Sequence, residues 1–262
     1  MSSRRGGKSG GRAAPTREVQ VSKKLSWLLR HGAEKEGLQL QEGGFISVSD
    51  VLSNRNIQSL KVTLEEVQEI VRDNDKQRFT LTPASESVDP TSSNPKDYLI
   101  RANQGHSLKV ESEGLLQPIT AENAPESAVH GTTHSAWLLI AASGGLKPMG
   151  RNHVHFASGL PEGFKSVVEA GSAGDEAPVI SGMRKSSTIL MFLDIKKAME
   201  AGVEFWLSDN GVILSAGNVD GLIPLEYFKR VEDRTGEGVL LEDGKVVKEA
   251  PEKWAKKGNT KS

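Results

Sequence analysis

A Pro-, Ser- and Asp-rich stretch at 83–97, PASESVDPTSSNPKD, constrains this chain more than any other feature. It carries neither a 3.6-residue nor a 2-residue apolar period, so no interior helix or strand runs through it. The apolar residues on its two sides must then be buried in two sets. The stretch reads as a linker between a unit over 19–92 and a second over 96–232. Two polar ends complete the division. The Gly-, Ser- and Arg-rich tail over 1–18 is expected to be disordered. The polar tail over 233–262 is expected to be loose from Glu249 onward.

The two units differ in their periods. In the first, Leu25, Leu28 and Leu29 fall at helical spacing beside Trp27, with Ser22 as a candidate N-cap and Gly32 as a stop. GGFISVSDVLSN supplies a turn, a short strand through Phe45, Ile46 and Val48, and a helix capped by Ser47 or Ser49. TLEEVQEIVRDN pairs Thr63 with Glu66 as a capping box ahead of Leu64, Val67, Ile70 and Val71. A strand at Arg78–Leu81 follows, and helices leading into a short hairpin suggest a small winged-helix unit. In the second unit strands outnumber helices. YLIRA (98–102), HVHFA and TILMFLDI are strands, and EFWLS with GVILSAG forms a hairpin across Asp209-Asn210-Gly211. Helices are expected over 134–144 and 195–201. The fold class is α+β.

Composition excludes several functions. The absence of cysteine removes disulfides, thiolate metal sites and cysteine nucleophiles, and fits a reducing compartment. No apolar run approaches the roughly 18 residues of a membrane span. Met1–Arg17 lacks the apolar centre of a secretory signal, so a soluble protein of the cytoplasm or nucleus is expected; a monomer is expected as well. The net charge of −1 argues against nonspecific coating of a duplex, which requires a broad basic surface. A polyanion would be gripped at a few phosphates. Neither GxGxxG nor a P-loop lysine motif occurs, so Rossmann and kinase readings have no support.

All six histidines fall in four short segments: Arg30-His31-Gly32, RANQGHS (Arg101 to Ser107), HGTTH (His130 to His134) and RNHVH (Arg151 to His155). Three of the four also hold an arginine. A lone histidine is more often structural than catalytic, but this clustering points to a cleft. Guanidinium forks bind phosphoryl oxygens in pairs, and imidazole exchanges a proton near neutral pH. Basic residues at a helix C-terminus also favour its dipole. That accounts for Arg30 and His31, but not for Arg101 inside a strand or Arg151 at the mouth of one. Metal binding competes: His153 and His155 share one face of a strand, and His130 and His134 share a helical turn. No carboxylate lies inside either segment and Arg151 repels a cation, so an anion fits better and no metal is expected. HGTTHSAW places Gly131, two threonines and Ser135 before a helix, as a plain cap or as a receptor for a nucleotide's polar groups.

Four ordered motifs carry a resemblance: SKKLSWLLRHGAEKEGL with GGFISVSDVL, then IRANQGHS, then VHGTTHSAWLLIAASGGLKPMGRNHVHFA, then FLDIKKAMEAGVEFWLSDNGVILSAG. From about Val21 to Phe228 the chain resembles the Tpt1/KptA family of RNA 2′-phosphotransferases. The resemblance implies an N-terminal winged-helix RNA lobe and a C-terminal lobe like the NAD-binding core of ADP-ribosyltransferases. It implies NAD as co-substrate and 2′-phosphorylated RNA as partner, above all ligated tRNA at its splice junction. In the implied reaction the 2′-phosphate attacks C1″ of the nicotinamide ribose and nicotinamide leaves. Ribose O2″ then attacks phosphorus, releasing RNA with a 2′-hydroxyl and ADP-ribose 1″,2″-cyclic phosphate. By the same resemblance Arg30, Arg101 and Arg151 clamp the 2′-phosphate and His31 assists the transesterification. His130, Gly131 and Thr132, with His153 and His155, line the NAD pocket, and His106 and Ser107 support the RANQGHS loop or the RNA. The catalytic glutamate of protein-modifying relatives has no counterpart in Gly211-Val212-Ile213-Leu214, which favours a phosphate nucleophile. Two other outcomes stay open: an ADP-ribosyltransferase of phosphorylated nucleic-acid ends that stops after the first step, and an RNA-binding module with a degenerate transferase lobe. The basic tail is either a solubilising extension or an electrostatic tether for RNA.

Overall fold

Val21, Leu25, Leu28 and Leu29 are fully buried along one side of α1 (Arg17–Trp27) and of the π turn Leu28–Gly32 that continues it. A computed structural model of the chain, describing residues 14–108, 115–168 and 183–256, packs this stripe into a first core. The helix begins earlier than Ser22 implied. Thr16 is the N-cap, its hydroxyl accepting from the Val19 N–H, and Ser22 is buried. Arg17 and Glu18, assigned to the disordered tail, are therefore helical, and residues 1–13 of that expectation lie outside the described residues.

β1 (Ile46–Ser47) leads into α2 (Val48–Ser53) and α3 (Arg55–Gln58). α4 (Leu64–Asp73) opens on Thr63, whose hydroxyl accepts from the Glu66 N–H as the capping pattern predicts. Its Leu64, Val67 and Ile70 enter the same core at a spacing that keeps them on one face. β2 (Phe79–Pro83) and β3 (Tyr98–Ala102) pair antiparallel, and β1 takes the other edge of β3.

That pairing corrects the expected boundary. YLIRA does not open the second unit. It is the central strand of the first sheet, with Tyr98, Ile100 and Ala102 buried in the first core. The 83–97 stretch is thus a hairpin connection folded on itself. The Ala84 N–H donates to the Asp97 carbonyl at 2.8 Å, and the Tyr98 hydroxyl donates to the carbonyls of Pro90 and Ser92. Pro, Ser and Asp announce a loop, but not whether it joins two domains or two strands of one sheet.

The second core follows. β4 (Leu116–Pro118), β5 (Ala128–Thr132), α5 (His134–Ser143), β6 (Gly145–Leu146) and β7 (Val154–Phe156) come first. Then come β8 (Ile189–Leu193), α6 (Ile195–Glu200), β9 (Trp206–Ser208), β10 (Ile213–Ser215), β11 (Ile223–Pro224), β12 (Phe228–Asp233), β13 (Gly238–Glu242), β14 (Lys245–Val246) and α7 (Lys253–Lys256). One sheet has the order β4-β9-β10-β7, another β14-β13-β12-β8-β5, and β11-β6 form a short pair. β8 lies inside its sheet with Ile189, Leu190, Met191 and Leu193 all buried, so its sequence is a continuous apolar run rather than an alternation. Trp137 of α5, Phe156 of β7 and Phe205 share this core. The mixture of helix and sheet is α+β, as the patterning predicts.

The C-terminal expectation also needs correction. Gly238–Glu242 and Lys245–Val246 extend the five-stranded sheet, and Trp254 is 4% exposed in the second core, stacked on His134 at 4.0 Å. A polar edge hairpin gives little hydrophobic signal, because edges are kept polar. Among the described residues no helix is long and apolar enough to cross a membrane.

Candidate active site

The π turn at Leu28–Gly32 sets the first two functional side chains. Such a turn widens the helix and re-aims the residues it carries, here Arg30 and His31. The Arg30 carbonyl accepts from the N–H groups of Ser107 at 3.0 Å and Leu108 at 3.4 Å. A Cβ at Gly32 would lie 2.8 Å from the Trp27 ring, so any larger residue there displaces that ring. Gly105, at φ +88°, brings its backbone against the Arg30 guanidinium, with the nearest approach to its Cβ position at 3.6 Å.

Backbone bonds make the four histidine segments contiguous. The Asn152 N–H donates to the His106 carbonyl at 3.0 Å, and its side-chain amide donates to the Leu108 carbonyl at 2.8 Å. RNHVH therefore lies along RANQGHS, which lies along the π turn. On the other flank, Val129 and Ala157 exchange backbone bonds of 2.8 and 2.9 Å, and His130 Nδ1 donates to the His155 carbonyl at 2.9 Å. A carbonyl only accepts, so the neutral His130 ring carries its proton at Nδ1 and leaves Nε2 as an acceptor.

The electrostatics are those of a cation cluster. Burial, then the charges of Arg78 and Arg151, hold Arg30 down to about 10. Its Nε and Nη2 atoms are buried with no hydrogen-bond partner. His31, bonded through Nδ1 to Ser107 Oγ at 2.8 Å, is lowered by burial and then by Arg30 and Arg151. Burial, followed by the charge of Arg30, pushes His106 down to about 4, and burial, followed by that of Arg151, pushes His155 down to about 3. Burial also lowers His130 and His153. Arg151, on the exposed rim, is lowered by partial desolvation and then by Arg184. All five imidazoles are neutral at pH 7, and the positive charge resides in guanidinium groups.

A buried charge is unfavourable unless it is paired. Here a guanidinium is buried among like charges, and His106 Nε2, His155 Nε2 and Thr188 Oγ1 are also buried without partners. Unsatisfied buried polar atoms with shifted titration are what a site leaves for its ligand. This arrangement suits an anion beside a polar molecule.

Of the residues singled out by sequence, Arg30, His31 and Arg151 share one neighbourhood with His106, His130, His153 and His155. Arg101 stands at its edge. Its charge reaches His106, but its guanidinium is ion-paired with Asp209 at 2.5 Å, donates to the Gly43 carbonyl at 3.2 Å and lies over the Phe45 ring at 4.5 Å. A phosphate contacting Arg101 must share it with Asp209. Ser107 acts on His31 directly. Gly131 is crowded by the 183–187 segment: a Cβ there would meet Met183 at 2.3 Å and Ser187 Oγ at 3.0 Å. The adjacent Thr132 carbonyl accepts from the Thr188 N–H at 2.9 Å. His130 and His134 do not share a helical turn. His130 lies in β5, and His134 begins α5 and faces Asp233 at 2.7 Å. Among the described residues no group of three or more His, Asp and Glu is placed to hold a metal ion. A cavity of about 450 Å³ lined by Gln20, Lys23, Lys24, Trp27, Asn56 and Leu60 shares no residue with this cluster.

Arg78, Arg184 and Asp209 are not among the residues the sequence singles out. No histidine accompanies them, and a strand start or a hairpin turn accounts for Arg78 and Asp209 locally.

The family described as RNA 2′-phosphotransferase, Tpt1 / KptA family, matches residues 16–217. The tRNA 2′-phosphotransferase 1 of Danio rerio is 39% identical over 226 residues, covering 85% of this chain and 89% of its own. That of Homo sapiens is 40% identical, covering 84% and 80%. The tRNA 2′-phosphotransferase of Saccharomyces cerevisiae is 34% identical, covering 82% and 84%. The span matched by the family takes in every arginine and histidine of the cluster just described, and the chain belongs to the Tpt1/KptA family of RNA 2′-phosphotransferases.

Proposed function

We propose that this chain removes the 2′-phosphate of an RNA, ligated tRNA in the first place, by transferring it to the ADP-ribose part of NAD. The observation that carries the reading is Arg30: a buried guanidinium with two nitrogens unpaired, surrounded by Arg78, Arg151 and neutral imidazoles. Fixed cations of this kind stabilise the charge that accumulates on a phosphoryl group in transfer, with no metal required for that task.

In this reading Arg30 and Arg151 bind the 2′-phosphate oxygens, and Arg101 joins them from its ion pair with Asp209. His31, oriented by Ser107 through Nδ1, takes at Nε2 the proton of the hydroxyl that attacks phosphorus. Its lowered pKa keeps the ring neutral at neutral pH, and with the Nδ1 proton donated to Ser107 Oγ the Nε2 lone pair is free. His106, which the charges of Arg30 and Arg101 both reach, supports the loop beside the RNA. The NAD side fits β5, β7 and β8, where His155 Nε2 and Thr188 Oγ1 are buried polar atoms without partners. His130, Gly131, Thr132, His153 and His155 hold the dinucleotide there. When bound, NAD supplies an electrophilic ribose carbon with nicotinamide as leaving group. α1–α4 with the three-stranded sheet serve as the winged-helix RNA lobe, and the larger sheets serve as the ADP-ribosyltransferase-like lobe.

The test mixes the protein, NAD and a 2′-phosphorylated oligoribonucleotide and follows both products. Equal yields of nicotinamide and 2′-hydroxyl RNA are expected, with the phosphate in ADP-ribose cyclic phosphate. ADP-ribose persisting on the RNA identifies an enzyme that stops after the first transfer. RNA binding without nicotinamide release rejects the reading.

A further inference from the structure

The Asn74–Arg78 loop between α4 and β2 is held in place from within and from both sides. Asn74 is buried, and its Oδ1 accepts from the Lys76 N–H at 3.2 Å and from Arg78 Nη1 at 2.9 Å. Its carbonyl accepts from the Gln77 N–H at 2.7 Å. Gln77 adopts φ +40°, a conformation that L side chains seldom take and that surrounding contacts must enforce. Two further buried asparagines do so. Asn103, just after β3, donates its amide to the Gln77 carbonyl at 2.8 Å and its backbone N–H to the Arg78 carbonyl at 2.9 Å. Asn210, in the β9–β10 turn, donates to the Lys76 carbonyl at 3.0 Å. The neighbouring Asp209 of that turn engages Arg101, so one hairpin turn reaches two basic elements of the first sheet.

The loop presents its cations to the site. The charge of Arg78 depresses Arg30 more than that of Arg151 does. The charges of Arg78 and Lys185 both lower Lys76, and Arg184, next to Lys185 in the chain, acts on Arg151. Arg78 thus acts on both Arg30 and Lys76, and the 184–185 pair acts on Lys76 and Arg151. The carboxylates facing them are Asp75, which acts on Arg78 and Lys76, and Asp209, already engaged by Arg101. Asn74 anchors one terminal nitrogen of the half-buried Arg78 and leaves the rest of its fork open.

We infer that Arg78, assisted by Lys76 and pre-set by Asn103 and Asn210, binds a backbone phosphodiester of the RNA next to the reacting 2′-phosphate. A fixed guanidinium fork that acts on Arg30, with no carboxylate bonded to it among the described residues, matches a phosphodiester's two unesterified oxygens. The NAD pyrophosphate offers similar oxygens, but placement favours RNA. The Arg78 loop is bonded to Asn103 at the end of β3, in the first sheet, whereas His130 and His155, assigned to NAD, lie on β5 and β7 of the second core. The inference rests on the phosphotransfer reading.

The experiment is steady-state turnover of the full chain with NAD and a 2′-phosphorylated oligoribonucleotide across a salt series, for wild type, Arg78→Ala and Arg78→Lys. Arg78→Ala is expected to raise the RNA KM about tenfold and to reduce the slope of log(kcat/KM) against log salt by about 0.7, the loss of one single-strand phosphate contact. The KM for NAD and the saturated kcat should change by no more than about twofold. Arg78→Lys keeps the charge and should retain the salt slope. An unchanged RNA KM and slope overturns the inference, and a raised NAD KM reassigns the anion to the dinucleotide. If Arg78→Ala unfolds, Lys76→Gln carries the test, with a rise in RNA KM of about threefold and a shallower slope. If wild type yields no 2′-hydroxyl RNA, the phosphotransfer reading has failed. Equilibrium binding of the same oligonucleotide to wild type and Arg78→Ala, with the same salt series, then decides the phosphodiester site separately.

Discussion

Two clusters of buried polar groups in this molecule use similar side chains to opposite ends. On β12, Glu232 and Asp233 are fully buried and fully engaged. Glu232 pairs with Arg230 and accepts from the Ser166 hydroxyl and the Val167 N–H, each at 2.8 Å. Asp233 accepts from the Thr235 hydroxyl and the Glu237 N–H at 2.9 Å and faces His134 Nε2 at 2.7 Å. Around Arg30 the cations outnumber the carboxylates, and buried donors and acceptors lack partners. A saturated network stabilises one structure, whereas an unsaturated one waits for a molecule that completes it. The difference marks which buried charges serve the fold and which serve the ligand.

The largest expected effect tests the saturated side. Glu232→Ala breaks the buried pair with Arg230 and removes the acceptor of the Ser166 hydroxyl and the Val167 N–H, and should cost about 3–5 kcal/mol of stability, towards the lower figure because Arg230 is partly solvated. Denaturant unfolding reads it, and turnover per folded molecule should be unchanged. A cost below about 1 kcal/mol breaks the comparison. Arg30→Met should behave the opposite way. It removes a charge that the fold holds below its ordinary pKa, so the unfolding midpoint should stay level or rise. The barrier to phosphotransfer should rise by about 3 kcal/mol, a hundredfold or more in kcat/KM. A stability loss like that of Glu232→Ala would make Arg30 a structural residue.

The same contrast explains how far the sequence could be read. Arg30 and Arg151 are legible because each adjoins histidine in a compact motif, and chemistry follows from such neighbours. Asp209 is not, because Asp-Asn-Gly is already explained as a hairpin turn, and its grip on Arg101 depends on which sheet that turn meets. Arg78 is hidden in the same way at the start of a strand. In the fold, the Thr63 cap and the apolar face of α4 are local and so are visible. The position of β3 is not. Its residues announce a strand, but the strand it pairs with across the 83–97 loop is decided by burial of Tyr98 and Ile100 in a core shared with α1. α7 is likewise invisible until Trp254 finds His134, a contact between residues far apart in sequence.

Titration sharpens the comparison. The fold holds His106 to about 4 and His155 to about 3, below the ordinary histidine value near 6.5. The folded state therefore binds fewer protons than the unfolded state between those limits. The stability from keeping these rings neutral is complete above about pH 6.5 and is lost as pH falls through 4 and then 3. A decline of about 1 kcal/mol per pH unit for each ring is expected between pH 6 and pH 4.5. Urea unfolding across that range measures it, and His155→Gln should flatten the profile by one ring's share. A flat wild-type profile would mean that these imidazoles are not buried unpaired.

The smallest effect separates His134 from the other five histidines. It lies next to HGTT in sequence, yet its ring stacks on Trp254 and its Nε2 faces Asp233, a carboxylate that the Glu237 N–H and the Thr235 hydroxyl continue to satisfy. His134→Ala should accordingly cost only about 1 kcal/mol, mostly from the lost stack, and should shift the Trp254 fluorescence towards that of a more solvated indole. Turnover per folded molecule should stay within about twofold of wild type, because this ring completes the saturated network and not the open one. A large fall in kcat with unchanged stability would place His134 among the ligand-facing residues and remove the boundary drawn between the two clusters.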